Sequence, residues 1–370
     1  MGRIVSVQTS DERGGAEFAN ANLLAALRPR GNDVLLLTNM PDAAAGTDVP
    51  VTAIDLGPKL SRRSWARVIA QMPRTLWRLA RALRAAAPVD VSLLHFKKEQ
   101  LLFALLPKRL TGRVVWAEWG PVPPRLRGGP PRLLYALAGR RAAAVMAVSE
   151  GTRRTVVEAG VDAAKVEVVP NLVDVERIAF DSAARERVRA GWGAGPDTFV
   201  VGCISRFQRR KRNDVVIDAM AAVDGDVRLV LVGDGDEEAA LRERAAGDAR
   251  ISFLPTQSDV AAFLSACDLL VFAPSPTEGA PRVIILAQLV GIPVVSTGPE
   301  GAEGLIPAGA GTICAPADDP SALARALAAY RDDPERRRRE GAAARAATLA
   351  SHDPERVLAA VERLLRGTPA

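Results

Sequence analysis

Several residue types are scarce in this chain of 370 residues. It contains three cysteines and two histidines, and aromatic residues make up 4% of it. The cysteines, Cys203, Cys267 and Cys314, lie far apart in apolar surroundings. Cysteines so placed form neither a disulfide framework nor a metal cluster and are typical of buried thiols in a reducing compartment. We therefore expect a cytoplasmic protein.

Long hydrophobic runs are absent as well. No apolar stretch approaches the roughly 20 residues of a membrane-spanning helix. Charge directly follows the short apolar run at the N-terminus, which argues against a signal peptide. Hydrophobic residues account for 48% and charged residues for 25%, as in ordinary globular proteins. The length exceeds that of one typical core and predicts two domains.

Acidic residues are rare in one part of the chain. The net charge is +6, but residues 57–149 contain 18 lysines and arginines against three acids. Within them, residues 59–86 hold eight cations, two tryptophans and no acid, so they can lie on an anionic membrane at its inner face. The alternative is a solvated helix with Trp65 and Trp77 toward the core, interrupted by Pro73. No nucleic-acid-binding motif accompanies the charge, and we expect no such partner.

Short apolar strands alternate with helical stretches in both halves of the chain. RIVSVQ, DVLLLT and RVVWAEW are examples from the first half, and TFVVGCIS, VRLVLVG and LLVFAP from the second. The alternation predicts an α/β protein with two Rossmann-like, doubly wound domains. We place them at residues 1–176 and 177–370, with a last helix near 353–367 that can pack on either. Ligands of such sheets bind beyond the carboxyl ends of strands, so a cleft between facing domains is the expected site.

Two motifs that follow predicted strands suit a phosphate. Gly14 and Gly15 precede a helix, where glycine either lets the backbone approach an anion or makes a plain turn. Arg206 and Lys211 follow TFVVGCIS. Two cations there either stabilise a departing diphosphate or form a solvated basic loop.

A third motif, VLVGDGD, contains the acids Asp234 and Asp236. This D-x-D pattern holds a metal in some sugar transferases. A turn at Gly233 followed by a helix cap and first-turn acids explains it more simply. Two carboxylates without histidine also make a poor metal site. We expect no metal and no other cofactor.

The fourth motif, EGAPRVIILAQLVGIPVV, has an acid ahead of an apolar helix. Glu278 stands at the carboxyl end of a predicted strand, and Pro281 suits the first turn of a helix. The carboxylate either caps the helix or accepts hydrogen bonds from sugar hydroxyls. In the second case the backbone at the helix start faces an anion. The residues concerned are Gly279, Ala280, Arg282 and Val283.

Together these motifs resemble one family over nearly the whole chain, the family 4 (group 1) retaining glycosyltransferases of the GT-B fold. GGAE is similar to the family's opening loop, and AVSEGTRRTVVEAG through PNLVD to its domain junction, where Asn171 is an acceptor-side candidate. SRFQRRK resembles its G-R-L-x-x-x-K loop, with Ser205 in place of glycine. VLVGDGD resembles its G-x-G turn, which makes Gly233 a donor-binding candidate, and EGAPRVIILAQ resembles its E-x7-E helix. Several motifs in the right order are far more specific than one.

The resemblance implies transfer of a sugar from a nucleoside diphosphate to an acceptor, with retention of configuration and without a metal. Arg206 and Lys211 would stabilise the diphosphate, and Glu278 would hold hydroxyls of the donor sugar. His95 corresponds to a family histidine that orients that sugar; its alternative is a satisfied interior histidine. Glu118 either meets the acceptor or is paired internally. The acceptor is a glycan, a lipid-linked glycan or a small natural product.

The chain departs from the family at Leu286, where the family has a second glutamate that holds both ribose hydroxyls. Leucine accepts no hydrogen bond. Three explanations remain: a donor with deoxyribose, such as a dTDP-sugar in place of a UDP-sugar; a replacement contact from Gln288, Glu300 or Glu303; or a non-catalytic nucleotide-sugar binder. A sugar-nucleotide epimerase of the same fold is a further alternative. Its chemistry needs acids and histidines, and the chain has two histidines.

Overall fold

The computed structural model describes residues 2–10, 15–58, 64–276, 278–314 and 319–367. The chain forms two compact units, the first comprising Met1–Leu172 with Pro354–Ala370 and the second Val173–Asp353. The boundary lies slightly before the one that the sequence predicts after residue 176. The last helix, which the sequence analysis left free to pack on either domain, belongs to the first unit.

The strands of the first unit are β1 (Arg3–Gln8), β2 (Asp33–Thr38), β3 (Val51–Ala53), β4 (Val91–Leu94), β5 (Arg113–Glu118), β6 (Ala144–Ala147) and β7 (Val166–Val168). They form one sheet in the order β3-β2-β1-β4-β5-β6-β7, and the paired strands are parallel. The strands of the second unit are β8 (Phe199–Ile204), β9 (Val227–Val232), β10 (Ile251–Leu254), β11 (Leu269–Phe272), β12 (Val294–Ser296) and β13 (Gly311–Ile313). Their order is β10-β9-β8-β11-β12-β13, again with parallel pairs.

Helices connect the strands and cover both faces of each sheet. They are α1 (Gly15–Leu27), α2 (Trp65–Ala85), α3 (Lys97–Ala104), α4 (Lys108–Thr111), α5 (Gly129–Gly139), α6 (Glu150–Glu158), α7 (Ser182–Gly191), α8 (Asn213–Met220), α9 (Glu238–Arg244), α10 (Val260–Ala266), α11 (Arg282–Val290), α12 (Pro320–Asp332), α13 (Pro334–Ser351) and α14 (Pro354–Arg366). The predicted α/β class with two doubly wound domains is confirmed. Pro73 lies inside α2 without ending it, contrary to the predicted interruption.

Each sheet has an apolar core on either face. In the first unit, one core contains Trp116, Phe103 and Tyr135, and the other joins α1 to α14 through side chains such as Leu24 and Val361. Strands that are buried on both faces need continuous apolar sequence, which the chain supplies. The three cysteines are buried and free, as their surroundings predict.

Helix α11 lies between layers of the second unit. Ile284, Ile285, Ala287 and Leu289 are fully buried although they point in different directions around the helix. An all-round apolar helix needs cover on every side, and α10 and α13 pack against it. This burial, predicted from the sequence, fixes the start of α11 at the carboxyl edge of the sheet.

Membrane-spanning elements were sought as well. Among the described residues, no helix combines the length and apolar character that crossing a bilayer requires.

Candidate functional site

The order of the second sheet creates a site between two neighbouring strands. β8 and β11 are adjacent, while the chain continues from β8 to one side of the sheet and from β11 to the other. At such a switch point the loops after the two strands diverge and leave room for a ligand. Here they are joined by a hydrogen bond of 2.8 Å from the Ser275 N–H to the Arg210 carbonyl.

Glu278 is the carboxylate of this site, and two cations hold it. Its Oε2 lies 3.0 Å from Lys211 Nζ and 2.7 Å from Arg210 Nη1, which also contacts Oε1 at 3.0 Å. The side chains of Glu278 and Lys211 are 13% and 14% exposed, and that of Arg210 is 45% exposed. The Lys211 ammonium also lies 5.5 Å from the centre of the Phe272 ring. A half-enclosed carboxylate with two cations is thus the charged centre of the switch point.

The pKa values of this pair reflect burial and charge. Burial by itself raises the pKa of Glu278, but Lys211 and Arg210 outweigh it, and the pKa falls below its ordinary value. Burial lowers the pKa of Lys211, against the opposing effect of Glu278. Glu278 is therefore ionised at neutral pH. Arg206, which also follows β8, contributes to the lowered pKa of Lys211.

The loop after β8 is held in one shape. Arg212 adopts a left-handed conformation with φ of 51°, which turns the chain into α8. Asn213 is buried, and its Oδ1 accepts a hydrogen bond of 3.0 Å from Ser205 Oγ. A bulky residue in the left-handed region is uncommon and occurs where surrounding structure enforces it. The cations of this loop are consequently preorganised.

The predicted glycine turn after β9 supports the same loop. A Cβ on Gly233 would lie 2.0 Å from the Ser205 carbonyl oxygen, so a side chain cannot fit there. Asp234 in this turn accepts a hydrogen bond from the Phe207 N–H through its carbonyl, and its carboxylate accepts one from Thr256. Asp234 and Asp236 are both exposed. The D-x-D motif thus forms a turn that braces the basic loop.

The start of α11 completes the site. Pro281 precedes the helix, and the backbone of Gly279 is packed against Gly301, where a Cβ would lie 2.2 Å from it. Burial lowers the pKa of Arg282, which is half-buried. Its Nε has no hydrogen-bond partner, and it forms no ion pair within the described residues. The backbone N–H groups at a helix start also lack intrahelical partners. This end of the site therefore presents unsatisfied donors.

The structure brings together Arg206, Lys211 and Glu278, which the sequence analysis selected. Arg210 was missed. It stands next to Lys211 in SRFQRRK, and an arginine-rich loop offers no signal of which side chain turns inward. The short 3-10 turn at Arg209–Lys211 makes that selection by placing Arg210 toward Glu278.

Leu286 is half-buried and packs against an apolar cluster of the second unit. Of the predicted replacements, Gln288 is buried, donates to the Leu305 carbonyl at 2.8 Å and accepts from Thr348 at 2.9 Å. Both ends of its amide are used, so Gln288 has no free group for a ribose. Glu300 and Glu303 remain candidates.

His95 lies at the carboxyl edge of the first sheet and is almost fully buried. The Trp119 indole N–H donates to its Nδ1 at 2.8 Å, so Nδ1 is an acceptor. Its Nε2 lies 2.8 Å from Ser6 Oγ and, in the neutral ring, donates to it. Burial lowers the pKa of His95 to about 3. Both ring nitrogens are used internally, as in a satisfied interior histidine. The contact with the donor sugar stays a prediction.

Glu118 follows β5 and is also paired internally. Its Oε1 accepts from Gln100 at 2.7 Å and from the Tyr135 hydroxyl at 2.9 Å, and its Oε2 contacts Lys97 Nζ. Burial lowers the pKa of Lys97 despite the nearby carboxylate. Of the two predicted roles, the geometry supports internal pairing and leaves no free oxygen for an acceptor.

The remaining predicted residues are placed as follows. Asn171, the second acceptor-side candidate, is buried. Gly15 begins α1, and a Cβ on it would meet no atom within 4 Å, so close packing does not require glycine there. Gly14 lies outside the described residues.

Comparison with known proteins identifies a family for this chain. The model described as "Glycosyl transferases group 1" matches residues 198–333, and "Glycosyltransferase Family 4" matches residues 13–177. The chain belongs to this glycosyltransferase family. The match to the D-inositol 3-phosphate glycosyltransferase of Mycobacterium tuberculosis is 35% identical over 147 residues. It covers 37% of the chain and 30% of that relative.

Solved structures of similar fold match almost the whole chain of this glycosyltransferase. Anabaena Alr3699/HepE, in complex with UDP and glucose, superposes with a TM-score of 0.80 and 22% identity over 98% of this chain and 99% of that one. Sucrose-phosphate synthase from Thermosynechococcus elongatus gives 0.81 and 18% identity over 99% of each chain. At such identities the likeness establishes the fold.

The buried hydrogen bonds of His95 predict how its ring titrates. We expect its NMR ring signals to keep the pattern of a neutral ring with the proton on Nε2 from pH 8 to pH 5. A second proton would have to bind Nδ1, which already accepts the hydrogen bond of the Trp119 N–H. An unfolded histidine binds a proton below about pH 6.5. The contribution of His95 to stability is therefore full above that pH and is lost as the pH falls toward about 3. His95→Gln identifies its signals against those of His352. A ring that titrates near pH 6.5 in the folded protein would contradict this arrangement.

Proposed function

We propose that this protein transfers a sugar from a nucleoside diphosphate to an acceptor, with retention of anomeric configuration and without a bound metal. The ion-paired Glu278 at the switch point of the second sheet carries the proposal. Membership of a glycosyltransferase family supports it. Retention comes from the family resemblance and is read directly from the anomeric proton of the product.

The contacts of Glu278 suggest an exchange of partners when the donor binds. In the structure, Lys211 and Arg210 share one carboxylate, that of Glu278. A diphosphate offers them more charge and bidentate acceptors, which arginine favours. Once the cations turn to the diphosphate, the carboxylate is free to accept hydrogen bonds from sugar hydroxyls. The same three side chains then bind both halves of the donor.

The start of α11 suits the diphosphate for a second reason. Arg282 has a half-buried guanidinium and an Nε without a partner among the described residues. Anions bind at helix N-termini because free N–H groups and the helix dipole point to them. In the reaction these donors, with Arg206 and Lys211, would stabilise the charge that develops on the leaving diphosphate.

The nucleotide of the donor is part of the proposal. Leu286 leaves the ribose without the contact that the family's second glutamate makes. The structural relative HepE is described with UDP and with UDP-glucose. Either the donor is a dTDP-sugar, whose deoxyribose needs fewer contacts, or Glu300 or Glu303 holds the ribose of a UDP-sugar.

Peripheral contact with an anionic membrane, through the described part of residues 59–86, also belongs to the proposal. Trp77 on α2 is 58% exposed, and the Arg81 guanidinium lies 5.6 Å from its ring centre. An exposed tryptophan beside arginines suits a membrane interface.

We expect the protein to sediment with vesicles that contain phosphatidylglycerol and to sediment little with vesicles of pure phosphatidylcholine. The Trp77→Ala variant should bind the phosphatidylglycerol vesicles more weakly. Equal sedimentation with both vesicles would contradict this contact.

The partner exchange predicts that Glu278→Gln lowers turnover without weakening nucleotide binding. Turnover should fall about 10- to 150-fold, because a hydrogen bond to a charged group contributes about 1.5–3 kcal/mol. Binding of the free nucleoside diphosphate should be unchanged or tighter, because a competing carboxylate is removed. Turnover is measured as nucleotide release in the presence of acceptor, and binding by calorimetry.

Matched variants in the same loop serve as controls. Lys211→Ala and Arg210→Ala should both weaken diphosphate binding. Arg209→Ala should not, because Arg209 is exposed and forms no ion pair within the described residues. Full turnover by Glu278→Gln would refute the role of the carboxylate. Conversion of the donor without any acceptor would favour the epimerase.

The nucleotide is tested by thermal unfolding with UDP, dTDP, GDP and ADP in the presence of a chelator. A ligand at 100 times its Kd stabilises the fold by about 2.7 kcal/mol, so we expect the midpoint to rise with at least one of them. A selective response to dTDP supports the deoxyribose explanation. A response to UDP supports a ribose contact from Glu300 or Glu303. A response that appears only without chelator would contradict metal-independent binding.

A further inference from the structure

We propose that the first unit binds one molecule of an acidic phospholipid in a groove between α3 and α5. The groove has a volume of about 940 Å³ and lies at the amino edge of the sheet, where β5 begins and the chain enters β6. His95 and Glu118 lie at the opposite, carboxyl edge. The proposed lipid site is therefore separate from those two side chains and does not depend on glycosyl transfer. Met72 of α2, within the segment proposed to contact a membrane, also lines the groove.

Leucines form the walls of this groove. Leu101 and Leu105 come from α3 and its end, and Leu134 and Leu137 from α5. Leu105 and Leu134 are 60% and 61% exposed. Burial of apolar surface stabilises by roughly 25 cal/mol per Å², so clustered exposed leucines cost stability unless something covers them. The wall is suited to an acyl chain.

Cations form the rim. They are Lys108, Arg113, Arg140, Arg141 and Lys165, and no acid lines the groove in the described part of the chain. None of the five makes an ion pair there. Arg141 donates to the Leu106 carbonyl at 3.1 Å, and its buried Nε has no hydrogen-bond partner. A phosphate placed at this rim would find several donors and no repelling charge.

Capping of helix ends explains only part of this arrangement. Lys165 donates to the Ala142 carbonyl at 2.9 Å, just beyond the end of α5, where a cation is favoured by the helix dipole. Arg141 serves the end of α3 in the same way. Capping does not account for Lys108 and Arg140, which are exposed beside the exposed leucines.

The combination of an apolar wall and a basic rim selects the ligand. A second copy of the chain, docked through the same patch, would bring five more cations to the rim, and like charges repel. A neutral lipid would leave the rim cations unpaired. The volume lies within the range of sites that enclose one small molecule. An acidic phospholipid offers both the acyl chain and the phosphate.

The test uses short-chain lipids at concentrations where they remain monomeric. We expect calorimetry to show one site for dihexanoyl-phosphatidylglycerol. Binding of dihexanoyl-phosphatidylcholine should be at least tenfold weaker, and glycerol 3-phosphate should show no saturable binding. A free-phosphate site would instead bind glycerol 3-phosphate as well as the lipid, and that result would overturn the proposal.

Neighbouring residues provide matched controls for each half of the site. Leu134→Asp should weaken lipid binding at least tenfold, whereas Leu133→Asp should not, because Leu133 is equally exposed but does not line the groove. Lys108→Gln should weaken binding at low salt, and Arg109→Gln, outside the groove, should not. Both substituted leucines are exposed, so the variants should unfold at similar temperatures.

Two further results would overturn the proposal. One is equal affinity for the two lipids, which would mean that the rim cations contribute nothing. The other is a dimer in solution that Leu134→Asp dissociates, which would make a second copy the occupant of the groove. Binding is measured without a sugar nucleotide, so failure of the proposed transfer reaction would leave this test unaffected.

Discussion

The ion pair between Glu278 and Lys211 is the constraint around which the second unit's site is built. Removing both charges from water is costly, and the cost is met only when the two groups stay close and hydrogen-bonded. They come from loops after different strands, so the loops must keep a fixed separation. The left-handed Arg212, the turn at Gly233 and the buried helix α11 all maintain it. In the proposed reaction, loops held in this way would present the same cations to the diphosphate without a change in backbone position.

Much of this fold could be predicted because its parallel strands are buried on both faces and read as apolar runs. Glu278 and Lys211 could be selected because each follows such a run, at the edge where ligands bind. The inward turn of Arg210 depends on a local 3-10 turn that composition does not specify. Gln288 illustrates the opposite difficulty: its sequence position suggested a free amide, but Thr348, far along the chain, occupies it.

His95 shows why position after a strand is ambiguous. The carboxyl edge of a parallel sheet contains both ligand-binding side chains and side chains that support them. His95 has the contacts of the second kind in this structure, because Trp119 and Ser6 use both of its nitrogens. Those partners lie on neighbouring strands or just beyond them, so their proximity depends on strand order. Strand order is set by the three-dimensional fold, and the sequence alone did not reveal it.

The two edges of the first sheet differ in how completely their polar groups are satisfied. At the carboxyl edge, Glu118 accepts hydrogen bonds from Gln100 and Tyr135 and pairs with Lys97, and such contacts make the local structure rigid. At the amino edge, cations such as Arg140 stand beside exposed leucines without a countercharge among the described residues. The cations and leucines of the amino edge add little to the free energy of folding, since they leave apolar surface in water and place like charges on one patch. A surface that folding does not favour is more readily explained by a ligand that covers the leucines and neutralises the cations.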